Sequence, residues 1–335
     1  MKKYNIAVVG ASGMVGGELL GLLESRRFPV GEFYAFNSGR KPARVIFRGK
    51  KYACSAPSFE ALRKADIAFF VSNEEVSEKF APRLAAAGVW CVDDSSQFRL
   101  AAGVPLVIPE VNGAELKPAR RLIAGPNCTL TGAAVALAGI HRKFRVTELR
   151  IATYQAVSGA GKAAMRCLEE ELRGYFKTGR VPVLKDRKFP HPIAFNLFPQ
   201  VGGFDAAGNT GEENKVEAEL KKIWGDSRVK ISCTSVRVPV LRGHSLALWF
   251  KTARPCSPAA LRAELRRTDG LAFFEKPEDY PTPLKHGDRT DVVYAGRLRR
   301  AKTAANEYQL WVVSDNLYKG AALNSVQIAE RIVKL

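Results

Sequence analysis

The sequence predicts two successive domains: a doubly wound α/β domain on a parallel sheet, then an α+β domain whose sheet is mainly antiparallel. Three observations carry this. The apolar, β-rich run at 4–9 ends in a glycine cluster and opens into the helical pattern MVGGELLGLLES. Short β-rich runs then alternate with helical stretches as far as residue 125, the order that builds a parallel sheet. Beyond that point the strands lengthen and the helices become fewer.

In chain order, the β-rich runs of the first part are 33–36, 67–71, 89–92, 106–108 and 122–124, with FAPRLAAAG as one of the helices between them. A helix is expected over 130–144. The second part has long strands at 149–155, 230–240, 245–252 and 307–314, with helices near 162–177 and 212–224. The segment 181–211 is rich in Pro, Gly, Phe and Asn and has no period, which predicts a long loop shaping a site or an interface. A last helix over 320–333 is expected to pack back on the first domain. The expected domains are therefore 1–127 with about 316–335, and 128–315.

Composition narrows the function. The 335 residues, 46% of them hydrophobic, exclude a disordered or fibrous chain. Against 33 acidic residues stand 52 Lys and Arg, a net charge of +19 that attracts anions and admits nucleic acid, acidic membrane or phosphorylated metabolites as partners. The apolar run after Met1-Lys2-Lys3 is too short for a signal peptide, and no stretch is long and apolar enough for a transmembrane helix, so a cytoplasmic protein without a membrane partner is expected. The six cysteines form no C-x-x-C pair and fit reduced thiols, and four histidines leave few ligands for a metal.

The turn Gly10-Ala11-Ser12-Gly13-Met14-Val15-Gly16 lies between the first strand and the first helix, where a Rossmann-type fold binds a dinucleotide, although its spacing is G-x-x-G-x-x-G. Glycine lets the backbone approach a pyrophosphate, and the helix N-terminus supplies N–H donors and a favourable dipole. After the second strand comes Asn37-Ser38-Gly39-Arg40-Lys41. The Ser38 hydroxyl and the Arg40 and Lys41 cations suit the 2′-phosphate of NADP; the alternative is a solvated basic loop. Cys128, in Gly125-Pro126-Asn127-Cys128-Thr129, stands at the start of an apolar helix, a setting that lowers a thiol pKa and offers N–H groups to an oxyanion. Among the histidines, His141 reads as a surface residue and His191 and His286 as structural. His244 sits in a Gly-containing turn between strands, the place expected of a base.

These residues resemble the aspartate-β-semialdehyde dehydrogenase family over nearly the whole chain. The blocks are the glycine turn, GPNCT, TYQAVSGAGK, HPIAFNLFPQ, GEENK, VRVPVLRGHS and WVVSDNLYKGAALNSVQIAE, in family order. The resemblance implies reductive dephosphorylation of aspartyl 4-phosphate by NADPH, on the route to lysine, threonine and methionine. Cys128 would form an aspartyl thioester, His244 would exchange the proton with the tetrahedral intermediate and Gln155 would orient the substrate. Arg99, Lys215 and Asn127 would hold phosphate, Arg237 the substrate carboxylate and Glu212, on one helix face with Lys215, the ammonium. Gly10, Ser12, Gly13, Met14, Val15, Ser38, Arg40, Lys41, Ser158, Gly159 and Asn316 would line the NADP site. A homodimer or homotetramer through the second domain's sheet is also implied.

Two departures stand against the family pattern. Leu246 follows His244-Ser245 where a Glu is usual, and Val71-Ser72-Asn73-Glu74-Glu75 replaces a small, Gly/Ser-rich loop near the cofactor. Two other readings remain open. A related acyl-phosphate reductase, such as one for N-acetyl-glutamyl phosphate, would not need an acid like Glu212 to meet a free ammonium. A basic nucleic-acid-binding homologue is disfavoured because the cations are scattered and no recognition motif appears.

Overall fold

The computed structural model describes residues 2–40 and 42–335. The chain forms two compact units, one running to Asn127 and resuming at Gly320–Leu335, the other covering Cys128–Lys319. The chain thus re-enters the first unit at Gly320, slightly beyond the expected 316.

The first unit is laid down as β1 (Tyr4–Val9), α1 (Met14–Ser25), β2 (Val30–Phe36), the hairpin β3 (Arg44–Phe47) and β4 (Lys50–Ala53), and α2 (Phe59–Leu62). It continues with β5 (Ile67–Phe70), α3 (Glu74–Ala86), β6 (Trp90–Asp93), α4 (Pro109–Asn112) and β7 (Leu122–Ala124). The main sheet has the order β2-β1-β5-β6-β7 and is parallel throughout. In β5, IAFF is buried at every position, as a strand covered on both faces must be. One expected strand is absent: in 106–108 only Leu106 bridges, to Ala124. Pro105 and Pro109 remove backbone donors on either side. The Asn112 amide donates to the Leu106 carbonyl at 2.8 Å and its oxygen accepts the Ile108 N–H at 2.9 Å, folding the segment into the start of α4.

The second unit runs through α5 (Cys128–Phe144), β8 (Val146–Gln155), α6 (Lys162–Thr178), α7 (Gly211–Trp224), β9 (Lys230–Arg237) and β10 (His244–Thr252). It ends with α8 (Pro258–Arg267), β11 (Leu271–Phe273), α9 (Pro283–His286), β12 (Val293–Arg300) and β13 (Glu307–Ser314). Its sheet has the order β11-β12-β13-β10-β8-β9, antiparallel at the centre and parallel at the two outer pairs. α5 is buried at every position from Thr129 to Ile140. β9 stops at Arg237, short of the expected 240, just before Val238-Pro239.

The long segment after α6 has no helix or strand, yet it is anchored. The buried Glu171 carboxylate accepts the Ile193 and Ala194 N–H groups at 2.7 and 2.8 Å, and Phe189, Ile193 and Phe198 pack with Leu168. After β13 the chain re-enters the first unit as α10 (Leu323–Ile332), where Glu330 pairs with Arg26 at 2.7 Å. No helix among the described residues is long and apolar enough to cross a membrane.

Candidate active site

The glycine turn builds one wall of a cleft of about 920 Å³ in the first unit. Gly10 has φ +94°, and a Cβ there would lie 2.5 Å from the Val71 carbonyl oxygen. A Cβ on Gly16 would overlap the Gly10 carbonyl, so glycine at both ends lets α1 start tightly against the sheet. Gly10, Ser12, Gly13, Ser38 and Arg40 line the cleft, while Met14 and Val15 follow in the first turn of α1. The exposed turn, the α1 N-terminus and the Arg40 cation fit a dinucleotide with an anionic end. Lys41 lies outside the described residues.

The acidic departure is milder than its sequence implies. Glu74 turns to accept the Ser96 hydroxyl, and of the two acids only Glu75 lines the cleft. Lys79, one turn later on α3, lines it as well. The sequence reading missed Lys79, although its spacing of four from Glu75 places both on one helix face.

In the second unit, Cys128 begins α5 and its Sγ lies 3.5 Å from His244 Nε2. His244 begins β10 and is 1% exposed. Burial, with the Arg237 charge beside it, pushes its pKa down to about 3. The Ala156 main chain clamps two side chains through its two flanking peptide groups: its N–H donates to His244 Nδ1 at 3.1 Å, and its carbonyl accepts from Arg237 Nη1 at 2.7 Å. Arg237 Nε is buried with no hydrogen-bond partner among the described residues. A Cβ on Gly159 would approach Arg237 Nη1 to 3.2 Å and His244 Nε2 to 3.3 Å, so this glycine leaves room above both groups.

Gln155 ends β8, and its amide donates to Glu212 Oε1 at 3.2 Å. The same oxygen accepts the Thr129 hydroxyl at 2.8 Å. Ser158 and Asn316 are buried against each other: Asn316 Nδ2 donates to the Ser158 hydroxyl at 3.0 Å, and Asn316 Oδ1 accepts the Gly243 N–H at 3.0 Å. This bond braces the turn just before His244. Beneath it the fully buried Asp315 carboxylate pairs with Arg242 at 2.7 Å. Sequence reasoning missed Thr129, the Ala156 peptide and Asp315; only Thr129 carried a signal, its place beside Cys128.

The remaining expected residues are more dispersed. Arg99 is buried in the first unit and donates to the Asp94 carbonyl at 2.8 Å. Burial pushes the Asp94 carboxyl up to about 7, against a 2.6 Å hydrogen bond from Ser325. Asn127 is buried as the last residue of that unit, joined covalently to Cys128. Lys215 is half-buried on α7, about one turn after Glu212. Leu246 is 1% exposed beneath Gly132 of α5, a core position where a carboxylate would be buried. His141 corrects its surface assignment: it is half-buried and stacked on Trp224, with ring centroids 4.6 Å apart. His286 is buried, and its Nδ1 accepts the Thr282 N–H at 3.1 Å.

A glycine-turned nucleotide cleft in one unit and a half-buried cysteine against a buried histidine in the other define a nicotinamide-dependent oxidoreductase. Residues 5–119 match the family model "Semialdehyde dehydrogenase, NAD binding domain", and residues 137–319 match "Semialdehyde dehydrogenase, dimerisation domain". The aspartate-semialdehyde dehydrogenase of Aquifex aeolicus is 40% identical over 99% of this chain and 98% of its own. The crystal structure of aspartate semialdehyde dehydrogenase II from Vibrio cholerae is 37% identical, covers 99% of each chain and superposes with a TM-score of 0.95. A second structure of that enzyme, complexed with ASA, has a TM-score of 0.94 at 36% identity, covering 100% of this chain and 99% of its own. The chain belongs to the aspartate-semialdehyde dehydrogenase family.

Proposed function

We propose that this chain catalyses the NADP-dependent, reversible reductive dephosphorylation of L-aspartyl 4-phosphate to aspartate 4-semialdehyde and phosphate, in lysine, threonine and methionine biosynthesis. The observation that carries this reading is the 3.5 Å approach of Cys128 Sγ to His244 Nε2 at the N-terminus of α5. Cys128 attacks the acyl phosphate and carries the aspartyl group as a thioester, which splits one difficult transfer into two easier ones. When bound, the reduced nicotinamide supplies the hydride. His244 faces the oxyanion of each tetrahedral intermediate, Gln155 orients the acyl group and Arg237 grips the substrate carboxylate. Glu212 meets the ammonium, while Arg99, Asn127 and Lys215 receive the phosphate. Ser38, Arg40 and Lys41 select NADP through its 2′-phosphate, and Ser158, Gly159 and Asn316 shape the nicotinamide end.

The active form is a homodimer in the cytoplasm. Trp249 and Trp311, half-buried on the open face of the second unit's sheet beside a groove of about 340 Å³, support a contact there. The test of the activity is phosphate-dependent reduction of NADP⁺ or NAD⁺ with aspartate semialdehyde. Turnover that prefers NADP⁺ and vanishes in Cys128→Ala is expected. An inactive wild type, or an active variant, overturns the reading.

A further inference from the structure

We infer that Glu213 is a positioning residue for the proposed reaction: its carboxylate bolts the first turn of α7, which carries Glu212 and Lys215, to the edge of β9, which carries Arg237. This rests on the activity proposed above, in which the side chains of Glu212, Lys215 and Arg237 must meet one substrate.

The chain joins these groups only at a distance. α7 has 14 residues and β9 follows it, so the covalent link between them lies beyond Trp224, about 20 Å along the helix axis from Gly211 at a rise of 1.5 Å per residue. At the end where Glu212, Lys215 and Arg237 stand, side-chain contacts must set the spacing. β9 is an outer strand of its sheet and pairs with β8 on one side. Alternate residues turn their N–H groups to the other side, where a strand edge needs partners. Two contacts supply them. The Arg237 N–H donates to the Phe198 carbonyl at 2.9 Å, and the N–H of the fully buried Ser235 donates to Glu213 Oε1 at 2.8 Å.

The same carboxylate closes the start of the helix. Glu213 Oε2 accepts the Thr210 N–H at 2.6 Å, and the Glu213 N–H donates to the Thr210 hydroxyl at 3.4 Å, which makes a capping box. A capping box needs one carboxylate oxygen, and Glu213 places its second on another element. Glutamate suits this because both partners are N–H donors and an ionised carboxylate accepts on both oxygens, whereas the amide of a glutamine would turn an NH₂ against one of them. The preceding residue, Glu212, reaches different partners, the Thr129 hydroxyl and the Gln155 amide. In the β8–β9 register Thr153 stands opposite Ser235 and Gln155 opposite Arg237. The two adjacent glutamates therefore tie the first turn of α7 to the ends of both strands, and Glu213 holds it to the strand that bears Arg237.

The test compares two variants of the full-length protein. Glu213→Gln keeps the size and sets an NH₂ against Ser235 or Thr210. Its kcat/KM should fall about tenfold for phosphate and for aspartate semialdehyde, with the loss carried by KM, kcat within about threefold and KM for NADP⁺ within about twofold. Thr210→Val removes the hydroxyl of the cap and leaves both carboxylate contacts, so it should lower Tm and keep both substrate KM values within about twofold. Were Glu213 only a cap, the two variants would lower Tm alike and leave KM alone; that result overturns the inference, as does a loss in Glu213→Gln that falls equally on NADP⁺. Amide hydrogen exchange of the wild type gives a readout independent of how the variants fold. The Ser235 N–H should exchange at least about a hundredfold more slowly than in an unfolded chain, and free exchange there overturns the inference. A wild type without phosphate-dependent turnover removes the proposed activity and this inference together, whereas an active wild type with an unaltered Glu213→Gln removes the inference alone.

Discussion

The Thr129 hydroxyl and the Gln155 amide converge on a single oxygen of Glu212, at 2.8 and 3.2 Å. The residue after the proposed nucleophile therefore sets the position of two side chains expected to touch substrate. Thr129→Val keeps the shape and removes the donor, so Glu212 Oε1 loses the shorter of these two hydrogen bonds. Its kcat/KM should fall about tenfold, the scale of one buried hydrogen bond to a charged group, while Thr129→Ser restores most of it. Circular dichroism and Tm should be unchanged; a variant at wild-type kcat/KM would show that the contact is passive.

Gly159 leaves space above both Arg237 and His244. Its φ is unexceptional, so Gly159→Ala is admissible to the backbone, and the new methyl would stand 3.2 Å from Arg237 Nη1 and 3.3 Å from His244 Nε2. We expect kcat/KM to drop by at least about tenfold, because small displacements of reacting groups are costly, with thermal stability within about 2 °C of wild type. Steady-state kinetics beside a melting curve checks both halves.

The proposed selection of NADP rests on cations lining the first unit's cleft. Arg40→Ala should raise KM for NADP⁺ by roughly ten- to a hundredfold and leave KM for NAD⁺ within about twofold, as expected for a charge-assisted phosphate contact. Lys79→Ala should act in the same direction but more weakly, near threefold, since Lys79 is exposed at the cleft wall. Equal effects on the two cofactors would remove the 2′-phosphate from the account.

The buried His244 makes the fold acid-sensitive in a defined window. Its pKa falls from an ordinary 6.5 to about 3 on folding. Between those values the unfolded chain binds a proton that the native state excludes, so stability declines as pH falls from 6.5 towards 3. His244→Gln should flatten the dependence of Tm on pH over this range and change nothing above pH 7. A parallel decline in wild type and variant would assign the acid sensitivity elsewhere.

Signals that were local could be read before the structure. The glycine turn, Cys128 at a helix start and His244 at a strand turn each announce themselves within a few residues. The contacts that complete the site do not, because Thr129 reaches Glu212 across 83 residues and Ala156 reaches His244 across 88. The segment 106–108 misled for a related reason. Its apolar run has strand character, but an asparagine four residues beyond Ile108 captures the backbone groups that a strand would use. Leu246 is legible only once β10 is seen, since alternation along the strand turns it with His244, Leu248 and Phe250 towards the helices.

The Ala156 main chain has a consequence for mutagenesis. It grips the histidine and the arginine with main-chain atoms, so replacing its side chain leaves the grip intact, and an alanine scan passes over it. Only proline deletes the N–H. The residue itself is constrained by volume, being fully buried, and not by its chemistry.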